Sequence, residues 1–224
     1  MRKFVVIGVV LVLVLGLPLT AAGWSGVVQV PVVTALFGND HARDLGMQRD
    51  RQAFEAFCTK FGIDTPSADA NYTLASPHQW SGSTQIDGVL SEAALGSLHE
   101  FNTENPYLSN VNFRIHAGGV ELAAFVKSVP GYPFSGPVYG KFSLERTSSS
   151  AVAIHISQLQ FGNIGVPGDY VQRAETEIGT YLNANIAEAG IKIDALELRE
   201  GGVYFKGTWP SKITADPPGA GLVP

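Results

Sequence analysis

The sequence predicts an α+β fold in which a twisted antiparallel sheet packs around one long amphipathic helix, behind an N-terminal transmembrane or signal segment. Three observations predict it. Apolar and polar residues alternate in successive short segments between residues 111 and 157, which is typical of antiparallel strands that are covered on one face. Apolar residues then recur every three or four positions from Asp169 to Ala189, which indicates an amphipathic helix. The first 24 residues contain a long uncharged apolar stretch.

This apolar stretch runs from Phe4 to Ala22. As a helix it would span roughly 28 Å, close to the hydrocarbon core of a bilayer. Arg2 and Lys3 precede it and favour the cytoplasmic side, so residues after about Trp24 are expected outside the cytoplasm. An uncleaved anchor fits the length of the stretch, whereas a cleaved signal peptide fits the small residues at its end. The chain is therefore expected in the cell membrane as a single-pass protein, or secreted if the segment is cleaved.

The charge balance argues against two kinds of partner. Without Arg2 and Lys3, the 15 basic and 20 acidic residues of the chain become 13 and 20, so the exported part has a net charge of −7. Nucleic acid requires clustered Lys and Arg, and so does a polybasic patch that binds anionic lipid headgroups. We therefore expect neither. The single Cys58 cannot form a disulfide within the chain.

The chain is expected to divide into four parts. Residues 1–24 are the anchor or signal peptide, 25–80 a juxtamembrane stretch with a helical subregion, 81–213 the main α+β domain, and 214–224 a disordered tail rich in proline and glycine. The helix of the subregion is predicted from about Asp50 to Phe61, with Gly62 as its stop. Four of its residues share one face, and the thiol among them is expected to be buried and inert; they are Phe54, Phe57, Cys58 and Phe61. Residues 64–80 are predicted to form a loop.

The main domain is predicted to begin with a short strand at Ser83 to Val89, after which Ser91 caps a helix that ends near Asn102. Four strands follow, the first two joined by a turn at Gly118-Gly119. After the long helix, a final hairpin turns at Gly201-Gly202. The predicted strands are 111–116, 120–127, 138–145, 152–157, 191–199 and 203–207.

The long helix carries the most informative pattern in the sequence. Beside a strongly twisted sheet, such a helix either packs shut or leaves an apolar groove, and both alternatives stay open from the sequence. Ile178 and Leu182 are both expected to point at the sheet. The predicted apolar face of the long helix consists of Val171, Ala174, Ile178, Leu182 and Ile186. The polar residues expected on its other faces are Gln172, Arg173, Glu177, Asn183 and Glu188.

The sequence contains no recognisable catalytic or metal-binding motif. The five histidines are scattered, and His116 and His155 lie on the mixed faces of two predicted strands, where exposed histidines are common. Asp194, Glu197 and Glu200 form an acidic group, which indicates a solvated hairpin face or a weak cation site. We therefore expect a non-enzymatic protein without a metal or cofactor.

Three local features stand out in the main domain. Leu90-Ser91-Glu92-Ala93 opens its first helix, residues 159–167 (LQFGNIGVP) lead into the long helix, and residues 196–207 (LELREGGVYFKG) form a final hairpin that ends in glycine. With the order of elements over residues 83–213, these features resemble bacterial envelope proteins of the LmeA, YpmS and YceB type, which belong to the TULIP-like lipid-binding group. The entry to the long helix has the single Pro167 where some relatives have two prolines. The resemblance implies a membrane-tethered lipid-binding module without catalytic residues.

Two functions follow as expectations. The first is an extracytoplasmic module that holds a lipid or another long apolar molecule in a groove between the long helix and the sheet. The second is a structural or interaction protein of the envelope with a closed core, in which the aromatic helix of the N-terminal subregion serves as a partner face. A hydrolase is a weaker third alternative. The residues expected to contact the lipid are Leu95, Leu98, Phe113, Ile115, Leu122, Phe142, Ile154, Ile178, Leu182 and Ile186.

Overall fold

The computed structural model describes residues 40–64, 78–98, 108–127 and 135–215. The predicted α+β class is confirmed, with antiparallel sheets and a long helix packed on them. The apolar stretch from Phe4 to Ala22 lies outside the described residues. None of the helices within the described ranges is both long enough and apolar enough to cross a membrane.

Three helices are described. Helix α1 is Arg51–Phe61, α2 is Glu92–Leu98 and α3 is Gly168–Glu188. The predicted continuation of α2 to Asn102 falls outside the described residues. The strands are β1 His78–Ser81, β2 Thr84–Ser91, β3 Leu108–His116, β4 Gly119–Val126, β5 Gly136–Ser148, β6 Ala151–Phe161, β7 Ile164–Gly165, β8 Lys192–Arg199, β9 Gly202–Trp209 and β10 Lys212–Ala215.

The described strands form three sheets rather than the single sheet that the sequence predicts. A five-stranded antiparallel sheet has the order β3-β4-β5-β6-β7, a three-stranded sheet has the order β2-β9-β8, and β1 pairs with β10 alone. The pairing of β1 with β10 joins His78 to Ala215, which local patterning cannot reveal. β1 therefore lies in the predicted loop 64–80, and the first two residues of the predicted tail belong to β10.

The core joins the two larger sheets through two clusters of buried residues. In one, Ile115 and Val120 of the β3–β4 hairpin meet Leu198 of β8. In the other, Val152 of β6 meets Ile191 and Ile193. One face of the five-stranded sheet is thus covered at one end by the final hairpin, because β8 and β9 supply side chains to both clusters.

The second face of the five-stranded sheet is also partly covered, so the expectation of a sheet covered on one side only is wrong. Ala123, which alternation places opposite the core face, is 0% exposed and packs with Ala42 and Tyr139. The guanidinium carbon of Arg43 lies 3.9 Å from the centroid of the Tyr139 ring. The segment before α1 therefore packs on the mixed face of the sheet. The polar sequence of this segment does not predict that contact.

Helix α1 begins and ends as predicted. The Asp50 carboxylate accepts a hydrogen bond from the Ala53 N–H at 2.9 Å, and Gly62 closes the helix with a φ of 65°. Cys58 is buried, and this burial, with a contribution from the Glu55 carboxylate, raises the pKa of its thiol to about 11. The thiol therefore stays protonated and unreactive at neutral pH. The ring of Phe61 approaches Gly88 of β2, so the aromatic face turns towards the domain.

Helix α2 has the predicted cap and an additional anchor. The Ser91 hydroxyl accepts a hydrogen bond from the Ala94 N–H at 3.2 Å. The side chain of Glu92 is buried, and its Oε2 atom accepts a hydrogen bond from the Ile115 N–H at 2.6 Å. This carboxylate satisfies a backbone donor on the outer edge of β3, because β3 has a strand partner on one side only.

Candidate functional site

Helix α3 closely matches the predicted helix of residues 169–189. Pro167 precedes it, and Gly190 follows it with a φ of 65°, as a helix stop of this kind requires. The unexpected feature is burial: none of its 21 residues is buried. A helix of this length would ordinarily be held by an apolar stripe packed into a core, so another interaction must contribute to its position.

Polar side chains attach α3 to the edge of β6. The Glu175 Oε1 atom accepts a hydrogen bond from the Ile156 N–H at 2.6 Å. Asn183 binds Val152 twice: its Oδ1 atom accepts from the N–H at 2.9 Å, and its Nδ2 atom donates to the carbonyl oxygen at 3.0 Å. Beyond its short pairing with β7, β6 has no strand neighbour on this side, and α3 replaces the missing one. The expectation that Asn183 faces away from the sheet is therefore wrong.

The two halves of α3 differ in how they meet the rest of the domain. Leu182 and Ile186, in the C-terminal half, pack against the buried cluster that contains Val152 and Ile191. Beside the N-terminal half, an open groove with a volume of about 580 Å³ lies between α3 and strands β6 and β7, and the hydrogen bond between Glu175 and Ile156 joins the helix to β6 there. The helix thus packs into a buried cluster at one end and is held by a polar contact beside an open groove at the other.

The groove, named here the α3–β6 groove, is lined by apolar and polar residues and by no Lys, Arg or His. The apolar lining residues are Ile156, Leu159, Val166 and Val171. The polar lining residues are Ser157, Gln158, Gln160, Gln172 and Glu175, with Gly165 and Gly168 completing the wall.

A strip of exposed apolar and aromatic side chains runs along α3 beside this groove. Tyr170 is 66% exposed, Ile178 43% and Tyr181 47%. With Ala174 they recur at intervals of four and three residues, so they share one flank of the helix. Ile164 of β7, which is 44% exposed, adds to the apolar surface near the start of α3. Ile178 was expected to point at the sheet but is exposed, whereas Leu182 packs inward as expected.

The ten predicted lipid contacts are spread over the domain. Leu95, Phe113, Ile115 and Phe142 belong to or pack against the cluster around Leu198. Ile154 is buried, Leu122 is half-buried, and Leu182 and Ile186 pack against the second cluster. Ile178 is exposed, and the side chain of Leu98 lies outside the described residues. None of the ten lines the α3–β6 groove, and of the apolar residues that do line it, Val171 is the one that helical periodicity had placed on the inner face.

A second groove, of about 480 Å³, lies between the segment before α1 and β3. It borders Asn110, which has a φ of 50° at the point where the β3–β4 register shifts. Asn112 in its wall is engaged with the protein, since its Oδ1 atom accepts a hydrogen bond from the Leu45 N–H at 2.8 Å. This groove lies between two parts of the fold, and its apolar lining residues are Ala42, Met47 and Val111.

Several charged side chains at the surface form ion pairs, and two histidines lie near carboxylates. His116 lies 3.4 Å from Glu200 and His155 lies 3.6 Å from Glu145, and all four side chains are largely exposed. Glu197 of the acidic hairpin pairs with Arg199. In the described part of the chain, no group of three or more His, Cys, Asp or Glu side chains is arranged to hold a metal ion. These contacts are typical of a solvated surface.

The chain was compared with protein-family models, with curated proteins and with solved structures, and none of them matched.

Proposed function

We propose that the chain is a membrane-tethered extracytoplasmic module that binds a lipid or another long apolar molecule in the α3–β6 groove. The observation that carries the proposal is the attachment of α3. Glu175 and Asn183 hold the helix to a strand edge by hydrogen bonds, so its apolar residues are not needed for attachment along its N-terminal half. Those residues are left for a ligand.

The physical argument is the cost of exposed apolar surface. Each Å² of apolar area removed from water contributes about 25 cal/mol, and contiguous exposed apolar patches on soluble domains mark interaction sites. The exposed flank of Tyr170, Ile178 and Tyr181 is on the same helix as Val171, which lines the open groove. An extended apolar molecule in the groove would cover both surfaces. The tether rests on the uncharged stretch from Phe4 to Ala22 behind Arg2 and Lys3.

A second candidate is a non-enzymatic structural or interaction protein of the envelope. The packing of Leu182 and Ile186 against the buried cluster supports it, because that end of the helix is closed. The aromatic face of α1 supports it less, since Phe57 and Phe61 turn towards β2. The open half of α3 is what favours the binding module over this alternative.

Filling the groove tests the proposal. Val171→Trp places a large side chain in the groove wall and is expected to lower the lipid that co-purifies with the full chain several-fold, as counted by native mass spectrometry. Its melting temperature should change little, because Val171 is only half-buried. Ala184→Trp is the control, since Ala184 is an exposed residue of the same helix that belongs neither to the groove lining nor to the flank of Tyr170.

Lipid carried by the apolar anchor is common to both variants, so the difference between them reports on the groove. Equal lipid content in Val171→Trp, Ala184→Trp and the unmodified chain would show that the groove is not the binding site.

A further inference from the structure

We infer that the uncharged segment of residues 27–37 occupies the α3–β6 groove while no lipid is bound, so that a lipid has to displace it. This inference rests on the proposed function and adds the regulation of the same site. The juxtaposition that carries it is the path of the segment before α1, which crosses the five-stranded sheet along one row of strand partners that ends at the groove. The row consists of Asn112, Ala123, Tyr139, Gln160 and Gly165.

Two contacts fix the direction in which the chain crosses this row. Leu45 lies at β3, where its N–H donates a hydrogen bond to the Asn112 Oδ1 atom at 2.8 Å. Ala42 lies further across the sheet, where it packs with Ala123 of β4 and Tyr139 of β5, and all three are buried. Towards its N-terminus the chain therefore advances from β3 to β5, and the next members of the row belong to β6 and β7.

The remaining distance to the groove is short. Gly165 lines the groove, and it lies two strands beyond Tyr139 in the row. Adjacent strands are about 4.8 Å apart, so this distance is roughly 10 Å, which about three residues of extended chain span. Phe37 is several residues before Ala42 in the sequence, so a chain that keeps its direction would bring it into the groove.

The segment meets the groove at the edge of the sheet. Gln160 and Gly165 lie on the mixed face, whereas Ile156 and Leu159 lie on the opposite face of β6. All four residues line the groove, so the groove extends around this edge, which β7 covers for two residues only. A chain that arrives on the mixed face therefore reaches the apolar lining residues without crossing the sheet.

The composition of the segment suits the groove. Residues 27–37 precede the described part of the chain, contain no charged residue and consist mostly of Val, Leu and Phe. No Lys, Arg or His lines the groove, and its apolar lining residues match such an occupant. Because the segment belongs to the same chain, its effective concentration at the groove is on the order of millimolar. The apparent affinity of a lipid then falls with the fraction of molecules whose groove is free.

The experiment uses the full chain, delipidated and held in amphipol, with the photoreactive residue p-benzoylphenylalanine in place of Val171. After irradiation and digestion with trypsin, we expect cross-links from this position to residues 27–37, because Val171 lines the groove. The same photoreactive residue in place of Ala184 is the control, since Ala184 is exposed on the same helix and outside the groove lining. Oleoyl lysophosphatidylcholine is then added as the lipid probe and should reduce the cross-linking several-fold.

The outcomes separate this inference from the proposed function, with binding of the lysolipid to the unmodified chain measured by calorimetry. If position 171 gives no more cross-links to residues 27–37 than position 184 does, and the lysolipid binds, the inference is overturned and the proposed function stands. Cross-links to residues 4–22 instead would assign the contact to the apolar anchor and also overturn the inference. If the cross-links to residues 27–37 persist at saturating lysolipid, displacement by lipid and the proposed function are both overturned.

A less apolar segment tests the competition directly. Val33→Ser, Leu36→Ser and Phe37→Ser, combined in one chain, are expected to lower the Kd of the lysolipid about 5-fold, because the lipid no longer displaces an apolar occupant. Gln29→Ser combined with Thr34→Ser is the control, since it changes polar residues of the same segment and keeps its apolar side chains. An unchanged Kd in the triple variant, or an equal decrease in the control, would overturn the occupation of the groove by this segment.

Discussion

Replacing Gly207 by alanine is expected to destabilise the protein by about 3–5 kcal/mol, because backbone strain and a steric clash act together. Gly207 has a φ of 148°, a conformation that residues with a Cβ atom rarely adopt. A Cβ atom at this position would lie 1.9 Å from the carbonyl oxygen of Lys192. That oxygen belongs to the partner strand where the β8–β9 register shifts, so it cannot move without disturbing the pairing.

The measurement is the free energy of unfolding from urea denaturation. Gly179→Ala is the control, since Gly179 is in the interior of α3 and a Cβ atom there would meet nothing within 4 Å. That variant is expected to gain about 0.5–1 kcal/mol, from the higher helix propensity of alanine. If Gly207→Ala fails to fold and Gly179→Ala folds, the result agrees with the clash. If Gly207→Ala unfolds at the same urea concentration as the unmodified protein, the result contradicts it.

Asn183→Ala is expected to cost about 1–3 kcal/mol, because it leaves both the N–H and the carbonyl oxygen of Val152 without their partner on the sheet edge. Val152 is buried, so water cannot easily replace the amide. Hydrogen exchange of the Val152 amide should also become faster, since its donor is no longer protected. These two readouts separate loss of the anchor from a general loss of stability.

Asn185→Ala is the matched control for this anchor. The Asn185 side chain donates to the Tyr181 carbonyl within the same helix at 2.8 Å, so its removal should be near neutral, with alanine gaining a few tenths of a kcal/mol in helix propensity. Equal costs for the two substitutions would mean that the contact with the edge of β6 does not stabilise α3.

The local elements of the main domain are the part that the sequence predicts best. The alternation from Val111 to Ser157, the turn at Gly118 and the stop at Gly190 each depend on residues close in the chain, and each is confirmed. The cap at Ser91 is confirmed for the same reason, since one hydroxyl meets an N–H three residues later.

The arrangement of the elements depends on contacts that periodicity does not record. Hydrophobic spacing placed Asn183 on an outer face, but the open edge of β6 requires polar partners, and an amide supplies both a donor and an acceptor. The pairing of His78 with Ala215 joins the two ends of the main domain. Ala42 covers the mixed face of the sheet from a polar segment.

The sequence leaves open whether α3 packs shut or leaves a groove, and it does not predict where a groove lies. Both halves of α3 carry apolar residues at helical spacing. They are Val171 and Ile178 in the N-terminal half and Leu182 and Ile186 in the C-terminal half. The halves differ because the C-terminal half meets Ile191 and Val152 in a closed cluster, whereas the groove beside the N-terminal half is lined by β6 and by Gly165 of β7. That difference is set by the tertiary arrangement.

The most direct test of the central claim maps where a lipid chain lies on the unmodified full chain. Cells that express the protein are fed a fatty acid with a photoactivatable diazirine in its chain, irradiated, and the protein is digested with trypsin. The peptide from Thr147 to Arg173 contains β6, β7 and the start of α3, and we expect cross-links there. The peptide from Glu200 to Lys206 should carry no cross-links. Its Tyr204 hydroxyl donates a hydrogen bond to the Asp87 carboxylate on the outer face of the sheet. Cross-links confined to the stretch from Phe4 to Ala22, or spread equally over both peptides, would contradict binding in the α3–β6 groove.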